Sequence, residues 1–310
     1  MNHYAPEGNL ISTFENHEYV SGIKGLERAL EKQIILEAPV VLCDHNFNLH
    51  VSLGAGIRGI IPREEAVYSP KEDVKDIAIL TRVGKPVCFM VVGFEKDASG
   101  EPIAILSRKR AQRECTVNYI ETLMPGDIIP AKITHLENFG AFVDIGCGII
   151  SLLSIDSISV SRISHPSARL SVGDSLHTVV KSIDSHGRIY VSARELLGSW
   201  VENASLFNEG QTVRGIVRSV ESYGIFIELK PNLAGLAEYK EEVFPGQTAA
   251  VYIKSIIPEK MKIKLIIIDS HDAPIYPEPL EYFVDVANVT HIDSWVYSPS
   301  NCKKTIESVF

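Results

Sequence analysis

The chain has 310 residues, 45% hydrophobic and 22% charged, with a formal net charge of −9; this is the make-up of an ordinary soluble protein of two or three domains and excludes global disorder. No apolar run reaches the roughly 18 residues needed to cross a bilayer, and the opening MNHYAPEGNL lacks the basic-then-apolar layout of a signal peptide, so a cytoplasmic protein without a membrane partner is expected. Cys43, Cys88, Cys115, Cys147 and Cys302 are scattered and never form a C-x-x-C pair, which argues for reduced thiols and against a disulfide framework or zinc knuckle.

The acidity is uneven. Segments 34–113, 124–200 and 210–270 carry +1, −1 and +1, whereas the first 33 residues carry −2 and the last 40 carry −4, with Glu114, Glu121, Glu202 and Glu209 between segments. Tails and linkers hold the negative charge, so the segments themselves are not repelled from a polyanion.

In chain order, each segment begins with a helix-like stretch: LERALEKQ (26–33), VNYIETL (117–123) and ARELLGSWVENASLF (193–207). Strand-like runs with period-two alternation follow. The first strands are EAPVVLCDH (37–45), PGDIIPAKI (125–133) and EGQTVRGIVRSV (209–220). An aromatic strand comes next, FNLHVSL (47–53), NFGAFV (138–143) or SYGIFI (222–227), then a loop with GIRGIIP, GIISLLS or NLAGLAE, a turn with a long strand, and a closing strand, PIAILSRK, RIYVSARE or KIKLIIID. Three repeats of about five short strands predict three small antiparallel barrels. The working boundaries are 1–33, an N-terminal segment with a short helix; 34–113, 125–197 and 210–270, the barrels; 114–124 and 198–209, linkers; and 271–310, a C-terminal extension.

Residues two apart on a strand share a face. Ala141, Val143 and Ile145 therefore point inward and Phe142 outward beside Asp144; Ile225, Ile227 and Leu229 point inward and Phe226 outward beside Glu228; Leu49, Val51 and Leu53 point inward with His50 outside. Three aligned outer rings suggest a surface on which flat groups stack. Phe139 and Tyr223 fall formally on the inner face, but Gly140 and Gly224 permit a bulge that re-aims each ring. Asn48 replaces that glycine after Phe47.

The ordered set in the middle segment, NFGAFVDIG, then VGDSLHTVVKSIDSHGRIYVSARE, resembles the RNA-binding S1 motif of bacterial ribosomal protein S1, a five-stranded OB-fold barrel, and 34–270 resembles three tandem copies. The resemblance implies mainly β architecture: three OB-type barrels joined by short helical linkers, plus a small α/β extension. It implies an RNA face of two aromatics on the second strand, a loop His, and an Asp and an Arg at the last hairpin. Those positions are Phe139, Phe142, Asp184 and Arg188 in the middle copy, with Ser154 in the His place. The third copy offers Tyr223, Phe226 and Lys262, with Glu238 and Pro258 in the His and Asp places. In the first copy Phe47 and His50 match, Pro62 takes the loop place, and GFEKDASGEPIAIL shows an altered turn without a matching Asp or Arg.

Lys132, Arg214 and Arg218 on first strands, with Lys254, Lys260 and Lys264 near the last hairpin, are expected to follow phosphates. No G-x-S-x-G, Walker-type loop or H-E-x-x-H occurs, so neither catalysis, cofactor nor metal is expected. The expected role is non-enzymatic binding of single-stranded RNA or mRNA, ribosome-associated through small-subunit proteins and acting in translation. A single chain suffices for such barrels, so a monomer is expected. Ser154, Glu238 and the acidic total leave open a protein-docking adaptor with vestigial RNA contact. The extension is expected to supply two strands, YFVDVANV and HIDSWVYSP, and a helix over CKKTIESVF.

Overall fold

In the computed structural model, residues 4–69, 74–273 and 278–310 are described. The Pro-rich start of the extension, APIYPEP at 273–279, includes 274–277, which lie outside those residues. The chain forms two compact units, residues 1–123 with 144–150, and 124–143 with 151–310.

The first unit opens with α1 (Phe14–Val20) and α2 (Ile23–Lys32). The Thr13 side chain caps α1 by accepting from the Asn16 N–H, and Leu26 and Ala29 of α2 are buried, one stripe of an amphipathic helix. Next comes a closed barrel of β1 (Leu36–Cys43), β2 (Leu49–Ser52), β3 (Arg58–Ile61), β4 (Pro86–Lys96) and β5 (Pro102–Ser107), in the order β1-β2-β3-β5-β4. A short α3 (Asp76–Leu80) precedes β4, and α4 (Arg108–Asn118) follows β5. Leu49, Val51 and Leu53 face this core, as alternation predicts, beside Phe89 and Leu106.

The second barrel comprises β6 (Ile128–Glu137), β7 (Gly140–Asp144), β8 (Ile150–Ser154), β9 (Ser175–Ile183) and β10 (Ile189–Ser192), with α5 (Ile155–Ile158) after β8. It closes in the order β10-β8-β7-β6-β9. After α6 (Trp200–Ala204), β11 (Thr212–Glu221), β12 (Gly224–Lys230), β13 (Leu233–Ala237), β14 (Thr248–Ile257) and β15 (Lys262–His271) close the third barrel in the order β11-β12-β13-β15-β14. Trp200 packs into the third core.

Several helical expectations are corrected. The stretch 117–123 holds only the end of α4 and a 3-10 turn at Ile120–Thr122, the helix proper lying earlier. The stretch 193–207 is split: Gly198 takes φ +81 between a 3-10 turn and α6, and Ser199 restarts the helix through a capping box with Glu202. In the extension, CKKTIESVF is not helical. The chain reverses at a Pro299–Cys302 turn, and β17 (Glu307–Val309) pairs with β16 (Ser294–Val296). YFVDVANV forms no strand, because Asp285 accepts from the Ala287 N–H and the Asn288 side chain and turns the chain. No helix among the described residues is long and apolar enough to cross a membrane.

A second correction concerns Asp144. It is buried rather than an outer neighbour of Phe142, and it accepts from the backbone N–H groups of Glu7, Gly146 and Gly148. Glu7 is clamped by Arg108, with Nε to Oε1 2.7 Å and NH2 to Oε2 3.0 Å. Burial pushes the Glu7 carboxyl up, but the charge and hydrogen bonds of Arg108, aided by Arg82, outweigh it and hold the group below its ordinary value. Burial pushes Asp144 up to about 7, and the charge of Glu7 adds to that rise.

Glu37 is also buried, and burial raises it from 4.5 to about 7 even though its Oε2 accepts from the N–H groups of Gly8, Leu10 and Ile11. A carboxyl raised on folding binds its proton more tightly in the native state. Its contribution is complete below about 4.5 and is lost as pH rises to about 7, so stability falls through that window. Glu37→Gln places an amide where Oε1 lies without a hydrogen-bond partner among the described residues; urea midpoints at pH 5 and pH 7.5 should therefore differ less in this variant than in wild type.

Candidate nucleic-acid interface

The two aromatic strands fold alike. A two-residue turn joins β6 to β7 at Asn138–Phe139, and the same turn joins β11 to β12 at Ser222–Tyr223. The next residues, Gly140 and Gly224, take φ +159 and +150, and a Cβ on either would meet a carbonyl oxygen, of Leu153 at 2.4 Å or Ala237 at 2.6 Å. Only glycine fits there. The bend turns the preceding ring outward: Phe139 is 55% exposed and Tyr223 69%. Each meets its half-buried partner edge to face, Phe139 with Phe142 at 6.0 Å and 89°, Tyr223 with Phe226 at 6.2 Å and 86°. The pairs thus present ring faces and edges on the barrel surface while Ala141, Val143, Ile225 and Ile227 fill the cores.

His135 belongs to the second cluster and was missed in the sequence. Its ring lies stacked against Phe142 at 6.4 Å and 21°, with Nε2 2.8 Å from Glu137 Oε1. The turn length could have revealed it. In the third barrel, Glu221 pairs with Gly224 and Ser219 with Phe226; the same count places residue 135 across from 142.

The first barrel differs. The left-handed backbone position falls on Phe47 itself, φ +64; its ring is half-buried against the core, with the Arg63 guanidinium 5.7 Å from its centroid. His50 is half-buried and its Nε2 lies 3.2 Å from Asp44 Oδ2.

Asp184 shapes the β9–β10 hairpin, its Oδ1 accepting from the N–H groups of His186 at 2.8 Å and Arg188 at 2.9 Å. The Arg188 bond first, then that from His186, holds the carboxyl below its ordinary value. The Arg188 guanidinium is exposed. The first barrel repeats this turn, correcting the expectation that it lacks the Asp: Asp97 Oδ1 accepts from the N–H groups of Ser99 and Glu101. Only the Arg place has changed, to Glu101, while Asp97 also pairs with Arg58.

Of the other expected cations, Lys132 is half-buried on β6, and Arg214, Lys254, Lys260, Lys262 and Lys264 are exposed. Arg218 is committed elsewhere, donating twice to Glu228, which is buried rather than outward beside Phe226 because Arg169 grips it too. Ser154 donates to Ser157 Oγ at 2.9 Å, and Glu238 is exposed.

Closed five-stranded barrels of this strand order are of OB type, and the second and third carry an outward aromatic pair at the start of the second strand, the kind of surface on which flat groups stack. Residues 122–194, the middle barrel, match the family model "S1 RNA binding domain". The chain is similar to small ribosomal subunit protein bS1 of Staphylococcus epidermidis, with 32% identity over 274 residues covering 83% of this chain and 65% of that one. The bS1 protein of Staphylococcus saprophyticus is 33% identical over 180 residues, 53% of this chain and 46% of its own. The chain thus spans about half to just under two thirds of these relatives. Among solved structures, a multidomain protein with nucleic acid binding domains from Streptococcus pneumoniae matches at 14% identity and a TM-score of 0.25, covering 81% of this chain and 76% of that one.

Proposed function

We propose that this protein binds unstructured single-stranded RNA, mRNA included, without catalysing a reaction on it, and acts in translation in the cytoplasm in association with the small ribosomal subunit. The observation that carries the reading is the duplicated aromatic pair, Phe139 with Phe142 and Tyr223 with Phe226. Bases of any sequence have π faces, and rings of this kind hold them with little sequence preference. The family match and the bS1 relatives support the ribosomal part of the proposal.

The segments that hold the barrels carry only +1, −1 and +1, so each makes few phosphate contacts and affinity grows by tethering. Fluorescence anisotropy with an unstructured RNA of about 30 nucleotides, longer than the roughly 4–16 that one OB fold covers, is expected to show binding that weakens with salt. The slope of log K against log salt should be about −0.7 for each phosphate contacted. A duplex of the same length should bind less tightly, because its bases are already stacked. No binding at low salt, or equal binding of duplex, rejects the reading and directs the search to a protein partner. Co-sedimentation with purified small ribosomal subunits tests the ribosomal association separately.

A further inference from the structure

The outer face of β12 does not end at Phe226. Glu228 follows on the same face, roughly 7 Å further along the strand at about 3.4 Å per residue, and its partner across on β11 is Ile216, between Arg214 and Arg218. Here, within the second unit, a groove of ≈ 190 Å³ opens, lined by Arg169, Arg214, Arg218, Glu228, Lys230 and Phe283 among others. Arg169 donates to Glu228 at 3.1 and 2.8 Å and Arg218 at 2.8 and 2.9 Å. One carboxylate therefore holds two guanidiniums and neutralises only one of them.

Each guanidinium has five N–H donors, and Glu228 uses four of the ten. Arg169 Nε is buried without a hydrogen-bond partner among the described residues. Lys230 is taken by Glu281 at 2.6 Å, and Glu278 also lines the groove. Four cations thus face three carboxylates. Arg214 is exposed at the groove and enters no ion pair among the described residues. An ion-pair cluster serving stability alone needs neither the surplus charge nor an unpaired arginine beside it.

We infer that this groove is a phosphate subsite, which takes the backbone phosphodiester of an RNA strand whose adjoining bases lie on Tyr223 and Phe226. Glu228 holds the buried Arg169 and the half-buried Arg218 guanidiniums in place, and Arg214 closes on the phosphate from the open side. This inference rests on the RNA reading above and adds a path that the aromatic pair alone does not define.

The test uses the full chain and an unstructured RNA titrated at several salt concentrations, with wild type, Arg214→Ala and Phe226→Ala; Arg214 is exposed, so its removal leaves the fold intact. Arg214→Ala is expected to weaken binding about tenfold, as for a charge-assisted hydrogen bond, and to make the salt slope shallower by about 0.7, one phosphate's worth. Adenosine monophosphate added as competitor should not displace the RNA. If Arg214→Ala changes neither affinity nor slope while Phe226→Ala weakens binding, the groove assignment is wrong and the RNA reading stands. If neither substitution matters, both fail for the third barrel. Displacement by the mononucleotide from wild type but not from Arg214→Ala would overturn the RNA-path assignment in favour of a free-nucleotide site.

Discussion

Phe142→Ala is expected to weaken RNA binding by about 1–3 kcal/mol, the cost of one lost stacked base, or roughly 5- to 150-fold in affinity. The effect should be large because Phe142 sits at the centre of a three-ring cluster, edge to face with Phe139 and stacked with His135. Removing it loosens both neighbours as well as the platform itself. Phe139→Ala should cost less, since that ring is the outer member of the pair, and its 55% exposure makes it the cleaner probe of binding without a stability penalty. The loss should be similar for pyrimidine-rich and mixed sequences, because ring stacking does not read base edges. Equal affinity of Phe142→Ala and wild type would show that the ring is scaffold.

The repeated aromatic–glycine signal was legible because its cause is local. Gly140 and Gly224 are demanded by a backbone bend and a facing carbonyl, and period two then fixes which neighbours enter the core. What lies outside a strand is decided by other parts of the chain, and there alternation misled. Alternation puts Asp144 and Glu228 on the outer side of their strands, yet both are buried, one accepting the Glu7 N–H from 137 residues away and the other gripped by Arg169 from 59 away. No local pattern carries such pairings.

The Asp97 turn was missed for a different reason. In GFEKDASGEPIAIL the Asp–Arg pair is absent, but the shared element is geometric: an aspartate accepting from the N–H groups two and four residues on, at Asp97 and Asp184 alike. That chemistry needs no arginine. In the extension a short amphipathic stretch such as TIESVF suits helix or strand equally, and pairing of Ser308 with Trp295 decides for the strand.

Arg108→Met is expected to destabilise the first unit by about 3–5 kcal/mol, the range for removing one partner of a buried ion pair. Arg108 is 3% exposed and makes three contacts, two to Glu7 and one from NH1 to the Ala66 carbonyl at 3.2 Å. Its loss leaves the buried Glu7 beside the Arg82 guanidinium, 3.5 Å away, and takes that donor from the Ala66 carbonyl. The double variant Arg108→Met with Glu7→Gln should be less destabilised than the two single effects summed, since no uncompensated charge then stays buried. Urea unfolding of the four proteins gives the coupling directly. A single-variant loss below about 1 kcal/mol, the range of exposed pairs, would mean that the network does not hold the unit together.

The central claim, that RNA lies on the paired rings of the second and third barrels, is tested most directly by photo-crosslinking. An unstructured RNA carrying 4-thiouridine is irradiated with the full chain, and adducts are located by mass spectrometry of the peptides. The account predicts adducts in the peptides that hold Phe139 with Phe142 and Tyr223 with Phe226. RNA that binds yet crosslinks only elsewhere, for instance along the exposed lysines of β14 and β15, would contradict it.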